Sequence, residues 1–233
     1  MNILFLTILR FESVEKKGLY PDLLRTFKKN GHNIYVISDE VYEKLVYEGE
    51  HISIASLGED IKNLTITVNG LSKTYAMTGW RIGYTASNKD LTAVMANIQS
   101  HATSNPNSIA QSASVEALLG DQSIIDTMKI EYVKRRDYMV EKINSIDGIS
   151  CITPNGAFYV MMNVTKLLGR EFYGKTINSA AELCEHILEK ANVALVSSEG
   201  FGIDGYARLS YATSMENIIN GLDRIEKYIK GEC

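Results

Sequence analysis

Three short β-prone runs limit what this chain can fold into. Asn2 to Thr7 is apolar on both faces, as a strand inside a parallel sheet is. Asn33 to Ser38 is the second run, and Leu64 to Val68, ending at Asn69-Gly70, is the third. Between the first two, Pro21 suits a first helical turn, and Leu23, Leu24 and Phe27 fall at helical spacing. Asn30-Gly31 then stops that helix. Strand, helix and strand in this order predict a right-handed crossover unit, so the fold class is α/β. The apolar opening, Ile3 to Leu9, is short, lacks a basic leader and runs at once into Arg10, Glu12 and Glu15. It reads as a buried strand rather than a signal peptide or a membrane span.

Composition narrows the partners. The chain has 233 residues, a formal charge of −4 and 45% hydrophobic residues, enough for one large domain or two small ones with a real core. A slightly acidic balance argues against nucleic acid as the main partner. Cys151, Cys184 and Cys233 are far apart and odd in number. They have no metal-ligand spacing, and no metal site is expected. They point to a reducing compartment, and the expected location is cytoplasmic.

The rest of the chain reads as alternating helices and short strands. Ser87 is placed to cap a helix through Leu91, Val94, Met95 and Ile98, which breaks at Asn105-Pro106 and restarts. His101 reads as a polar loop or interface residue. Ser123 to Ile143 predicts a long helix packed on one side, whose Lys134-Arg135-Arg136 run is a solvated face. Near Gly148 a smaller domain begins. Ile149 to Ile152 and Ala157 to Asn163 read as strands around Pro154-Asn155-Gly156. Ser179 to Lys190 is a helix with Cys184 on one face, Val193 to Val196 and Tyr206 to Tyr211 are strands, and Met215 to Ile229 is the closing helix.

Chemistry concentrates just after the third strand. Lys73 follows the Asn69-Gly70 turn, and Arg81 opens the next apolar run. A lysine buried near other cations can lose its proton and become an amine nucleophile. Arginine keeps its charge and suits a phosphate. A Schiff-base lysine beside a phosphate-binding arginine is what pyridoxal phosphate requires. Alone, a pair at this spacing is far more often an ordinary surface lysine and arginine than a site.

The surrounding wording decides more. "SKTYAMTGWRIGY" resembles the cofactor-lysine segment of the class I/II aminotransferases, in their bacterial aspartate aminotransferase-like branch. "ISDEVYEKLVYEGEHISIASL", "PNGAFYVMMN" and "GYARLSYATSMENI" are similar to other segments of that family. The resemblance implies Lys73 as the Schiff-base lysine, Arg81 on the cofactor phosphate, Asp39 at the pyridine nitrogen and Tyr42 at the phenolic oxygen of pyridoxal 5'-phosphate. It also implies Arg208 at the substrate α-carboxylate. A carboxylate at the ring nitrogen keeps it protonated, so the ring can draw electrons from a carbanion. The planar guanidinium of arginine grips a carboxylate through two parallel hydrogen bonds, which lysine cannot match. Outside the resemblance, Asp39 is also a plausible turn or cap residue, Tyr42 a packing residue and Arg208 a structural arginine paired with an acid.

The opening, "MNILFLT" with "DLLRTFKKNGHNIYVIS", resembles instead the amino terminus of a bacterial nucleotide-sugar glycosyltransferase. The organisation expected is therefore a β-α-β start over 1–38, the C-terminal part of a cofactor-binding large domain over 39–147 and a C-terminal α+β small domain over 148–233. Together these make a partial fold-type I transferase with a truncated large-domain sheet. The family's phosphate-cradling turn, its ring-stacking aromatic residue and its "N-P-T-G" loop have no counterpart here. Ser197-Ser198 stands where the family has Pro-Gly. The leading function is transamination between an α-amino acid and a 2-oxo acid, within amino-acid metabolism and biosynthesis. A non-catalytic remnant with weak or no cofactor binding is the alternative, and a glycosyltransferase fragment the third reading. The family is homodimeric, and much of its usual dimer surface is absent from this sequence.

Overall fold

The computed structural model describes residues 2–7, 22, 24–26, 28–32 and 34–232. Pro21, Leu23, Phe27, Asn33 and Cys233, all named above, lie outside the described residues, as does the segment from Ile8 to Tyr20. The chain divides into two compact units. The first holds Met1–Thr127 with Asn155–Ala157, and the second holds Met128–Pro154 with Phe158–Cys233. The unit that holds residues 148–233, apart from Asn155–Ala157, thus also takes in most of the long helix before it.

The first unit is built on a four-stranded sheet in the order β1-β2-β3-β4. Its strands are β1 (Asn2–Thr7), β2 (Ile34–Asp39), β3 (Thr65–Gly70) and β4 (Gly83–Ala86). β1, β2 and β3 run parallel, as the crossover pattern predicts, and β4 closes one edge antiparallel to β3. Residues 22, 24–26, 28 and 29 are helical, and Gly31 follows at φ 79°, where glycine carries no side-chain penalty. Leu24 from this helix, Val36 from β2, and Ile54 and Ile61 from the following turns are buried together.

Two longer helices follow β4: α1 (Lys89–Ala102) and α2 (Ser108–Leu119). The cap of α1 is Asn88, not the expected Ser87. The Asn88 side chain accepts the Leu91 N–H at 3.0 Å, while the Ser87 hydroxyl bonds Thr92 at 3.0 Å. Asparagine and serine cap about equally well, so neighbouring candidates cannot be separated by residue type. Asn107 caps α2 in the same way after the Asn105-Pro106 break.

α3 (Ser123–Ser145) is the predicted long helix and straddles the division between the units. From Met128 on it belongs to the unit that also holds β5 (Tyr159–Asn163), β8 (Val196–Ser197) and β9 (Tyr206–Ser210), which form an antiparallel sheet in the order β5-β9-β8. A small hairpin, β6 (Glu171–Phe172) and β7 (Lys175–Thr176), and the helices α4 (Ala180–Ala191) and α5 (Met215–Lys230) complete this unit. Tyr132 of α3 meets Phe158 and Tyr211. The expected strand at Ile149–Ile152 is absent, and only Ser150 makes a bridge, to Asn163. The reason is local: the Asn144 side chain accepts the Cys151 N–H and donates to the Cys151 carbonyl, satisfying groups a strand would have paired.

Ser179 and Ser214 cap α4 and α5 with their hydroxyls, and Gly231 ends α5 in the left-handed region. Leu183 and Ile187 of α4 and Leu222 and Ile225 of α5 are buried, with His186 bonded to the Tyr228 hydroxyl at 2.7 Å beneath them. Ile187→Ala is expected to cost about 2–5 kcal/mol in urea unfolding, because Ile187 is fully buried and its loss leaves a cavity that surrounding side chains fill only in part.

α3 is tied to α5 by charge. Lys142 reaches Glu226 at 2.6 Å and Asp223 at 3.0 Å, and Lys230 reaches Glu226 at 2.6 Å. The hydrogen bonds from Lys142 and Lys230 hold the Glu226 carboxyl down at about 2. A depressed carboxyl stabilises the fold fully above its ordinary value near 4.5, and that contribution is lost as pH falls towards the folded value. Urea midpoints measured from pH 5 to pH 2.5 are therefore expected to fall less steeply in Glu226→Gln than in the unaltered chain.

Candidate active site

Parallel register brings the predicted residues to one edge of the first sheet. Asp39 ends β2 opposite Val68 of β3. β3 then runs to Gly70, and the short helix Leu71–Thr74 begins at once and carries Lys73. The Asn69 side chain accepts the Gly70 N–H at 2.7 Å, fixing this junction. Lys73 thus sits on a single helical turn directly after the strand.

Arg81 is reached through a single 3-10 turn, Thr78–Trp80. It adopts the left-handed conformation at φ 52°, ψ 48°, a geometry costing of order 1–3 kcal/mol for a non-glycine residue. Its guanidinium donates to the Thr78 carbonyl at 2.9 Å. Asp39, Lys73 and Arg81 line one cavity of about 500 Å³, with Val68, Asn69, Ser72 and Gly83 among its other walls. Tyr42 stands beside it, its ring centroid 6.0 Å from the Lys73 amine. One Asp39 oxygen accepts the Val41 N–H at 3.2 Å.

Arg208 belongs to the second unit, on β9. Its guanidinium lies 4.5 Å from the ring centroids of both Tyr159 and Phe201. Among the described residues no carboxylate lies within ion-pair distance of it, so the acid partner expected of a structural arginine is absent. Ser197-Ser198 does not disturb the strand beside it: Val196 pairs with Arg208 and Ser197 with Ala207.

Sequence reasoning missed the buried carboxylate next to Asp39. Glu40 is 2% exposed. One of its oxygens accepts the Ser38 and Ser53 hydroxyls, each at 2.9 Å, and the other meets His51 Nε2 at 3.1 Å. Burial pushes its pKa up, but the hydrogen bonds from His51, Ser53 and Ser38 outweigh burial and leave it below the ordinary value. Glu43 and His51 also offer ligand atoms near Glu40, close enough together to hold a metal ion, although no metal site was expected. The bonds from Ser38, Ser53 and His51 already occupy the Glu40 carboxylate. Its neighbours are separated in sequence by a turn, which is why no spacing motif announces them.

Comparison with known proteins gives this arrangement its context. A family described as "Aminotransferase class I and II" matches residues 20–225. The chain belongs to that family. An aspartate aminotransferase of Rhizobium meliloti (strain 1021) is 42% identical over 208 residues, covering 88% of this chain and 50% of the relative. One from Bacillus sp. (strain YM-2) is 40% identical over 200 residues, covering 85% and 50%. Among solved structures, an aspartate aminotransferase from Rhizobium meliloti superposes with a TM-score of 0.87 at 38% identity, over 98% of this chain and 57% of the other. An aromatic aminotransferase from Pyrococcus horikoshii OT3 gives 0.86 at 31% identity, over 98% and 60%.

The chain is thus a partial fold-type I structure of the α/β class. It spans about half the length of the relatives it matches. The family match begins at residue 20, inside the 1–38 segment that resembles a glycosyltransferase start. Among the described residues no helix is long and apolar enough to cross a membrane.

Glu40→Ala is expected to cost about 1.5–3 kcal/mol, the worth of hydrogen bonds to a charged acceptor. Urea unfolding at pH 7 checks this. Because the Glu40 carboxyl is depressed, the penalty is present above its unfolded value and shrinks as pH falls below it.

Proposed function

We propose that the chain is the C-terminal half of a pyridoxal-phosphate-dependent transaminase acting on an α-amino acid with a 2-oxo acid acceptor, of the aspartate aminotransferase type. The observation that carries this reading is the shared cavity of Asp39, Lys73 and Arg81. Its donor set suits pyridoxal 5'-phosphate: an amine for the aldehyde, a carboxylate for the ring nitrogen and a guanidinium for the phosphate. Its volume of about 500 Å³ is within the range of small-ligand sites.

When bound, the cofactor supplies an electron sink for the substrate's Cα carbanion. Each residue then has a defined task. Asp39 would hold the proton on the ring nitrogen. Tyr42 would donate to the phenolic oxygen, and Arg81 would anchor the phosphate. Lys73 would hold the cofactor aldehyde through its amine. Its Nζ would also be the general base and acid that moves the substrate's Cα proton. Positioned proton transfer of this kind is worth about 10²–10⁴-fold in rate.

Arg208 takes the substrate α-carboxylate. Tyr159 and Phe201 flank its guanidinium, and no acid competes for it among the described residues. That leaves its edge N–H groups for two parallel bonds to a carboxylate.

The half-length match favours a second reading, in which the isolated chain holds the cofactor weakly or not at all. One titration separates the two. Purified chain mixed with pyridoxal phosphate should develop a visible absorption band, and borohydride reduction should leave the cofactor mass on Lys73. Lys73→Ala should lose the band, the mass and at least about 10²-fold of any turnover with an amino acid and 2-oxoglutarate. An unaltered chain with neither band nor fixed mass would establish the remnant.

A further inference from the structure

The β6–β7 hairpin of the second unit turns through two residues of positive φ. Tyr173 stands at φ 50° and Gly174 at φ 81°. Glycine takes this conformation freely, but a bulky tyrosine is strained in it. Two-residue hairpin turns favour Asn-Gly for that reason. The strands on either side are only two residues long, pairing Glu171 with Thr176 and Phe172 with Lys175. A hairpin this short does not hold itself together.

Rings from α4 and α5 hold it instead. The Tyr173 ring centroid lies 5.6 Å from that of Tyr228 and 6.3 Å from that of His186, and Phe172 stacks on Tyr228 at 5.2 Å. His186 Nδ1 and the Tyr228 hydroxyl bond each other at 2.7 Å. Both residues are buried, yet their cover is thin, since Tyr173 itself is 40% exposed.

The imidazole is thus the one group in this packing that changes charge near neutral pH. Lys175 of β7 and Lys190 of α4 face it, and Glu189 of α4 is the acid that does. The Tyr228 hydroxyl of α5 and the Tyr173 ring of the turn complete its surroundings without charge. Arg170, just before β6, sets a further cation 5.3 Å from the Phe172 ring. Burial first, and then the two lysines, push the His186 pKa below its ordinary 6.5, and Glu189 offsets only part of this. A group that binds its proton less readily when covered than when open favours the open form as pH falls below its ordinary value.

We propose that the β6–β7 hairpin is an acid-released latch, held over the α4–α5 surface by neutral His186 and let go when that imidazole takes up a proton. Release relieves the strain at Tyr173 and bares Phe172 and Tyr228 as an apolar surface. The rest of the unit outlasts it. Glu226, held at about 2, is still ionised at pH 5, so the ion pairs between α3 and α5 remain. The latch stands on the second unit alone and does not depend on the proposed function.

Amide hydrogen exchange of the whole chain at pH 7.5 and pH 5.0, corrected for the intrinsic exchange rate, tests it. Protection of residues 171–176 should fall about threefold or more at the lower pH, while β5 and β9 keep theirs. His186→Gln stays neutral at both pH values and can still bond Tyr228, so its hairpin should stay protected. Lys175→Met removes a cation facing the ring and should shrink the fall. Equal protection at both pH values overturns the latch. So does a fall that persists in His186→Gln, or one shared by β5 and β9, which is acid unfolding of the whole unit. Should His186→Gln fail to fold, an NMR titration of the unaltered chain decides: the His186 ring and the Tyr173 and Gly174 amides should change with one midpoint, and separate midpoints refute the proposal.

Discussion

The pairing of β2 with β3 is the constraint on which the rest of the candidate site depends. It sets Asp39 opposite Val68, so the carboxylate and the strand end leading to Lys73 leave the sheet at the same edge. Side chains alternate along a strand, so a slip of one residue would send Asp39 to the opposite face and bring Glu40 into its place. Glu40 is the guard against that slip. Its carboxylate is locked to Ser38, Ser53 and His51 in a buried network, and reversing the two acids would strand all three donors. The adjacent acids thus have opposite tasks, one saturated for structure and one with an oxygen to spare.

What could be read from sequence follows the range of the forces involved. Strands and helices set by local apolar pattern were legible: β2, β3, α3, α4 and α5 fall within a residue or two of expectation. Features decided by side-chain bonds to the backbone were not. Ser87 and Asn88 are equivalent caps on paper, and the Asn144 clasp on Cys151 dissolves a strand that the pattern Ile149–Ile152 predicts. At the candidate site, Asp39, Lys73 and Arg81 stand out through the family resemblance alone, because no periodicity marks them. The left-handed turn at Arg81 and the aromatic partners of Arg208 come from backbone geometry and from residues distant in sequence.

Length and completeness are separate questions in this chain. Each unit has a core of its own: Leu24, Val36, Ile54 and Ile61 in the first, and the α4–α5 packing over β5 and β9 in the second. Local completeness ends at β4, where a neutral strand edge and a helix without buried residues meet solvent. The same boundary passes through the walls of the Lys73 cavity. A cofactor held there would touch protein on one side and water on the other, and electrostatic contacts weaken as the local dielectric rises. Any hold of Arg81 on a phosphate would therefore depend on what lies across the cavity.

Arg208 meets the same problem differently. Tyr159 and Phe201 shield its guanidinium from solvent within a single unit, and cation–π attraction favours the charge where ion pairing is absent. Aromatic rings cannot accept the in-plane hydrogen bonds of a guanidinium as a carboxylate does, so shielding its faces leaves its binding capacity intact. An acidic neighbour would have stabilised the charge as well, but it would have competed with any carboxylate arriving from solution. Of the two ways to keep an arginine half-buried, this chain uses the one that leaves the arginine available.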